Sequence, residues 1–433
     1  MGAPGGIDCL LVRGRSSWEI ARACPVASVL LTATVLLLLG PGAPDVGAAS
    51  SPYVNFGRYD THDALSAAEQ DGVTVGGLPG GTGEVSLDPS PYPAFDGSGS
   101  YNGEGYYWGW MTSPVYGVAT PFDTLVPSWE ATTPTGTWVE LELRVHSAGS
   151  WTPWFDMGIW ASETGSVGRH SVGGQRSGGW GVLTDTLQSQ GSVFADAYQY
   201  RLTLFAEQLG VSPSVRGVSV VASDSYRHGE ELGGAGVGSW GWELEVPARS
   251  QMVYPNRGEI WCSPTSLSMV MAYWAGEIGV PELDQPVPVV AVGTYDYAYL
   301  GWGNWPFNTA YASAYGLEAA VSRFSSIEQV EWWTEAGVPV VASIAWDNSY
   351  GGQQLSGAAL TSSDGHLLVI RGFDSSGNVV TNDPAGGDDS QVRRVYRRDE
   401  FARAWSSGSG GVVYLVYPEG WSIPDSTYAQ GSW

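Results

Sequence analysis

Two patterns of apolar and polar positions follow one another along the chain. In "TWVELELRVHS", residues 137 to 147, Trp138, Glu140, Glu142, Arg144 and His146 alternate with Val139, Leu141, Leu143 and Val145. That period of two predicts a strand with one face buried. Runs of the same kind recur in "SWTPWFDMGIWAS", "AYQYRLTLFAE" and "SVRGVSVVAS", and no helix-period segment interrupts them. The spacing predicts an all-β, sandwich-like N-terminal domain over residues 104 to 227. Residues 50 to 103 are rich in Gly, Ser, Pro and Asp ("GGLPGGTGEVSLDPSPYPAFDGSGS") and read as a flexible lead-in. The glycine-rich residues 228 to 246 read as a linker.

Beyond the linker the period changes. "CSPTSLSMVMAYWAG" carries Leu267, Val270, Met271 and Trp274 at i, i+3, i+4 and i+7, one face of a helix. Pro264 sits in the first turn, where a missing N–H costs nothing, and Gly276 suits the stop. "NWPFNTAYASAYG" and "SIEQVEWWTEAG" read as two further helices. Four strand-like runs follow: "VPVVASIAW", "HLLVIRGF", "NVVTND" and "GGVVYLVYP". Helices first and a sheet afterwards describe an α+β domain over residues 247 to 418, with residues 419 to 433 as a C-terminal tail.

Composition narrows the partners. The formal net charge is −25 and there is no lysine, so every basic residue is an arginine. Such a surface repels nucleic acid and anionic lipid. The absence of lysine also excludes Schiff-base and serine–lysine chemistry. Residues 1 to 49 have the form of a secretory signal: Arg13, Arg15 and Arg22 precede the apolar run "VASVLLTATVLLLLG", and Gly47, Ala48 and Ala49 suit a signal peptidase. The expectation is a secreted, extracellular protein with no stable membrane insertion after cleavage.

Removing that segment removes Cys9 and Cys24 and leaves Cys262 as the single cysteine. An intramolecular disulfide or a cysteine-based zinc cluster is then not expected, and a free thiol is. His62, His146, His170 and His228 show no zinc-ligand spacing, and "DPAGGDD" at residues 383 to 389 lacks the spacing of a calcium loop. No metal or cofactor is implied.

A cysteine at a helix start is a packing residue, half of a disulfide, a metal ligand or a nucleophile. A nucleophile acts as thiolate, and a helix N-terminus and a nearby imidazolium both lower a thiol pKa. The C-terminal domain has one histidine, His366. The turn "DSSGN" makes an antiparallel hairpin of "HLLVIRGF" and "NVVTNDP", which puts the position opposite His366 near residue 385 or 386. Asp383 is then a diagonal neighbour able to orient the imidazole. Asn382, on the other face of the strand, remains a rival, and Asp364 a weaker one.

The stretches "YPNRGEIWCSPTSLSMVMAYW", "DGHLLVIRGFD" and "VVTNDPAG" resemble, in order and spacing, the three motif blocks of the papain-like cysteine peptidases of family thirty-nine, the bacteriocin-leader-peptidase family. The resemblance spans about residues 247 to 418 and is closer to the family's secreted relatives from high-GC Gram-positive bacteria. It implies a papain-like α+β fold, with Cys262 as nucleophile, His366 as general base and Asp383 as the orienting acid. Gln251, in "RSQMVYP", matches the glutamine of the oxyanion hole. Ser263 stands where the family usually has glycine.

The implied activity is hydrolysis of amide bonds in a peptide or protein substrate. Two other readings stay open: a catalytically inactive surface or carbohydrate-binding protein, and a cell-wall amidase or endopeptidase acting on cell-wall peptide. The aromatics of "SWTPWF" and "GYYWGW" suit a sugar-stacking platform, but within a sandwich they read first as core. "RHSVGGQ", residues 169 to 175, resembles a segment of the relatives' first domain and reads as a structural turn.

Overall fold

The structure, a computed structural model, describes residues 53–229 and 240–424. The expected signal segment, most of the linker and the end of the tail lie outside the described residues.

The first domain is a sandwich of two antiparallel sheets, each eight-stranded among the described residues. The strand Thr137–Ser147 forms where the alternation predicts it. Its Val139, Leu141, Leu143 and Val145 are buried against the opposite sheet, where Leu125, Trp129, Val218 and Val220 face them. The stretch expected as a flexible lead-in is part of this sandwich. Val54–Tyr59 pairs with Ser214–Ser223, Val73–Gly77 pairs with Gly83–Leu87, and Tyr92–Phe95 pairs with Gly105–Thr112. Turn residues are dense there because the strands are short and the hairpins tight, so composition marked the turns and hid the strands.

The second domain is built on a mixed-length antiparallel sheet, seven-stranded among the described residues. Its central strand, Ser362–Phe373, lies between Val340–Asp347 and Val379–Asn382. The domain begins before residue 247. Trp242–Glu243, inside the expected linker, pairs with Gly372 and Phe373. Gly372 has φ 153°, and a Cβ there would come within 2.3 Å of the Trp242 carbonyl oxygen, so the edge segment can approach only at a glycine. The tail also starts attached: Trp421 packs on Trp274 at 4.9 Å and its indole donates to the Ala336 carbonyl at 2.9 Å.

The first helix runs from Cys262 to Ile278 and ends on Gly279 in the left-handed region, three residues beyond the expected stop at Gly276. Residues 262 to 274 are all buried, so this helix is surrounded rather than amphipathic. Its small polar residues are satisfied by neighbouring elements: Ser266 Oγ donates to the Leu367 carbonyl at 3.0 Å and Ser268 Oγ to that of Gln285 at 2.8 Å.

The two domains share a polar and apolar contact. The strand Leu317–Arg323 pairs on one side with Val412–Pro418. On its other side Ala319 N donates to Glu130 Oε1 and Val321 N to Ser128 Oγ, both at 3.1 Å. Side chains of the sandwich thus satisfy an edge that would otherwise leave backbone donors open.

Candidate active site

The helix start that carries Cys262 is tightly prepared. The chain passes through the short helix Gly258–Ile260, entered from Arg257 at φ 68°, and Trp261 provides no side-chain cap. The positive end of the helix is therefore not neutralised by an acidic or hydroxyl side chain in the cap position. Ser263 fits the site: it is buried, and its hydroxyl hydrogen-bonds Tyr414 Oη at 3.0 Å. Ser266 lies one turn after Cys262 on the same helix face and holds the carbonyl next to His366. That bond turns the Cys262 face toward the strand of His366.

His366 Nε2 and Asp383 Oδ1 are 2.7 Å apart. Asp383 also accepts from Ala385 N at 2.9 Å and, at Oδ2, from Tyr396 Oη at 2.6 Å. Burial alone would raise the Asp383 carboxyl, but the charge of His366 and these three hydrogen bonds hold it below the ordinary carboxylate range. An ionised carboxylate only accepts, so Nε2 carries the proton and Nδ1 is the basic nitrogen. Nδ1 has no hydrogen-bond partner among the described residues. The imidazole is fixed by the edge of Trp346, with ring centroids 5.5 Å apart at 78°.

The register explains the pairing. Val369 lies opposite Asn382 and Ile370 opposite Thr381, so His366 projects to position 385 and Asp383 is its diagonal neighbour. Asn382 faces away. Its amide donates to the carbonyls of Val246 and Pro247 and accepts from Arg371. Asp364 is exposed. Of the three acids and amides open to the sequence, Asp383 is the one that meets His366.

Gln251 joins the group through its backbone, which donates to the Pro384 carbonyl at 2.9 Å, one residue past Asp383. Its amide Nε2 donates to the Glu259 carbonyl at 2.6 Å, while Oε1 is buried without a partner. Cys262, His366 and Gln251 are each 1 % exposed and Asp383 is fully buried. Two cavities, of about 630 and 500 Å³, lie elsewhere and are lined by none of the four.

Cys262 is disulfide-bonded in the structure of the full chain, whereas the expectation of a free thiol concerns the chain without residues 1 to 49. The other two cysteines, Cys9 and Cys24, lie outside the described residues. No group of three or more potential ligands able to hold a metal ion occurs among the described residues.

Several neighbours were not singled out in the sequence. Tyr396 ends the short, arginine-rich strand Arg393–Tyr396, which carries no apolar pattern, and Trp346 lies in the apolar run "VPVVASIAW", which gave no hint that it would pack on the histidine. The aromatic wall beside Cys262 also escaped: Trp261 meets the edge of Trp302 at 5.8 Å, and Tyr295 packs on Trp302 at 4.9 Å. "RHSVGGQ", read as a turn, supports that wall. Arg169 donates to the Val292 carbonyl at 2.8 Å and accepts from Tyr297 N at its own carbonyl, and Ser171 N donates to Asp296 Oδ1 at 3.1 Å.

Residues 55–223 match the model of the Peptidase C39 N-terminal domain, and residues 243–412 match that of the Peptidase C39 like family. Among solved structures, one described as a C39-like peptidase from Bacillus anthracis is 18% identical, with 40% of this chain and 94% of that chain covered and a TM-score of 0.30. The C-terminal CBM6 of LamC, a marine laminarinase from Zobellia galactanivorans, is 14% identical over 38% of this chain and 98% of that chain, with a TM-score of 0.19. No curated protein matches the chain.

Proposed function

We propose that this chain, whose two regions match the Peptidase C39 N-terminal domain and the Peptidase C39 like family, is a papain-like cysteine peptidase acting through Cys262, His366 and Asp383. The observation that carries the reading is the buried His366–Asp383 hydrogen bond, which leaves Nδ1 as the free basic nitrogen of a ring set against the helix that starts at Cys262.

In this mechanism His366 Nδ1 takes the Cys262 proton and the thiolate attacks the carbonyl carbon of the scissile amide. The developing oxyanion is held by the Cys262 backbone N–H at the helix start and by the remaining N–H of the Gln251 amide. His366 then returns the proton to the leaving amine. Water, deprotonated by the same imidazole, releases the acyl group and restores the thiol. Asp383 keeps Nε2 protonated throughout and stabilises the imidazolium.

The reaction needs Cys262 reduced. Removal of residues 1 to 49 before any disulfide closes leaves Cys262 as the single cysteine, with no partner on the chain, so export with signal cleavage presents it as a thiol in an extracellular enzyme. No helix among the described residues is long and apolar enough to cross a membrane. Ser263, the departure from the family's glycine, is accommodated by its hydrogen bond to Tyr414 and supports an active rather than a degenerate site.

The test is a quenched-peptide library incubated with the chain lacking residues 1 to 49. Cleavage by the wild type, lost in Cys262→Ala and in His366→Ala, is the expected result. A folded wild type that cleaves nothing, or a Cys262→Ala variant that still cleaves, overturns the assignment.

A further inference from the structure

The side of the Thr137–Ser147 strand that turns away from the core has its own construction. Strand register stacks three rows across the sheet: Phe205 lies opposite Trp108, Thr203 opposite Glu140 and Trp110, and Arg201 opposite Glu142 and Thr112. From Trp108 to Thr112 this is roughly 14 Å of strand. The residues line an open groove of about 500 Å³.

We propose that this groove binds a neutral polysaccharide chain, with Trp108 and Trp110 as stacking platforms and Glu140, Glu142 and Arg201 as hydrogen-bond partners for its hydroxyls. Most of the domain's large aromatics do belong to the core: Trp129, Trp138, Trp160 and Trp180 are fully buried. Trp108 and Trp110, in "GYYWGW", are only half-buried on the outer face, and their indole N–H groups have no hydrogen-bond partner among the described residues. Trp154 forms the far wall and is not a platform, because the guanidinium groups of Arg144 and Arg201 lie over its ring at 4.5 and 4.8 Å.

Those contacts and the strand pairs fix the polar groups before any ligand arrives. Arg201 binds Glu142 bidentately, Arg144 binds Gln199, and Tyr101 Oη donates to Glu140 Oε2 at 2.5 Å. Preorganised donors and acceptors beside half-exposed indoles match a pyranose chain, which presents apolar C–H faces and a ring of hydroxyls.

Charge selects the class. Glu69, Glu140 and Glu142 outnumber Arg144 and Arg201 by one, so the lining disfavours polyanions, and the two guanidiniums keep it from being a strong cation site. An extended peptide gains affinity from a free sheet edge, and the groove lies on a sheet face.

The proposal is independent of peptidase activity, so Cys262→Ala protein serves equally well and a failed peptidase reading leaves it standing. Binding of cellohexaose, mannohexaose and chitohexaose is measured by calorimetry, with polygalacturonate as the anionic control. At least one neutral hexaose is expected to bind, and Trp110→Ala to weaken it by about tenfold or more. Glu142→Gln, which keeps shape, is expected to weaken it too with the melting temperature little changed. The proposal is overturned if no neutral hexaose binds the folded wild type, if polygalacturonate alone binds, or if both variants bind as the wild type does.

Discussion

The candidate active site and the groove of the sandwich are both made of charged pairs across neighbouring strands, yet their surroundings are opposite. His366 and Asp383 are buried, and every oxygen of Asp383 is used by a named donor. Glu142 and Arg201 pair across strands in the same way, but water reaches both. A buried pair stabilises one protonation state and one geometry, and removing either partner leaves an uncompensated charge. A solvated pair is cheap to lose and easy to lend to a ligand. The first arrangement suits chemistry that depends on a fixed proton, and the second suits binding.

The largest effect expected from breaking this contrast is at Cys262. Cys262→Ala should reduce peptide hydrolysis by at least about a thousandfold, because no other nucleophile among the described residues stands beside His366. Asp383→Asn should follow, with a loss in kcat of roughly 10² to 10⁴ from the wrong histidine tautomer. A variant that retains near wild-type kcat would show that Asp383 only packs the turn. Asp383→Ala should also lower stability by about 3 kcal/mol in denaturant titrations, since Tyr396, Ala385 and His366 lose a common acceptor.

The sequence made the pairing legible and left its supports hidden, for one physical reason. Hairpin length and strand period fix register, so the distance between His366 and Asp383 along the chain encoded their meeting. The sheet-rich first region and the helix that opens the second followed in the same way from the alternation in residues 137 to 147 and the helical spacing after Cys262. What periodicity cannot encode is contact between distant elements. Tyr396 reaches Asp383 only because its strand adds to the sheet edge. The strand Leu317–Arg323, alanine-rich and without alternation, is a strand because the sandwich and the last strand satisfy its two sides. The helix Arg398–Ser409 ends in "SSGSG", which reads as a turn, and is held by Phe401 and Trp405 in the core.

Arg169 tests whether the two regions are coupled. It is buried, donates to the carbonyls of Ala161, Ser162 and Val292, and so ties the sandwich to the wall that carries Trp302 beside Trp261. Arg169→Ala should cost about 2 kcal/mol of stability and lower kcat/KM by roughly tenfold through a loosened wall. Glycan binding in the groove should be unchanged. Loss of both activities together would mean the domain has simply unfolded, which melting curves would reveal.

Titration sharpens the comparison by sign. Asp383 is held low, so its contribution to stability is complete above the ordinary carboxylate range and disappears as pH falls through its lowered pKa. Asp156, behind the groove and opposite Glu142, is raised to about 8 by burial and by the neighbouring Glu140. Between about pH 4 and pH 8 its folded form holds a proton that the unfolded form releases, so this group makes stability fall as pH rises. Asp156→Asn should flatten that fall and raise the melting temperature at pH 8 by roughly a few degrees. A melting profile unchanged by the substitution would show that Asp156 is ionised at neutral pH.

The smallest effect should come from the groove's own ion pair. Arg201 and Glu142 are part-exposed, with side chains 34 % and 12 % accessible, so solvent screens most of their attraction. A double-mutant cycle with Arg201→Gln and Glu142→Gln should give a coupling of about 0.2 to 1 kcal/mol in stability, shrinking further in high salt. The same two substitutions should nevertheless weaken a bound glycan, because the pair fixes where its donors and acceptors stand. A coupling several times larger and insensitive to salt would place this pair with His366 and Asp383, as a structural element that no ligand is free to borrow.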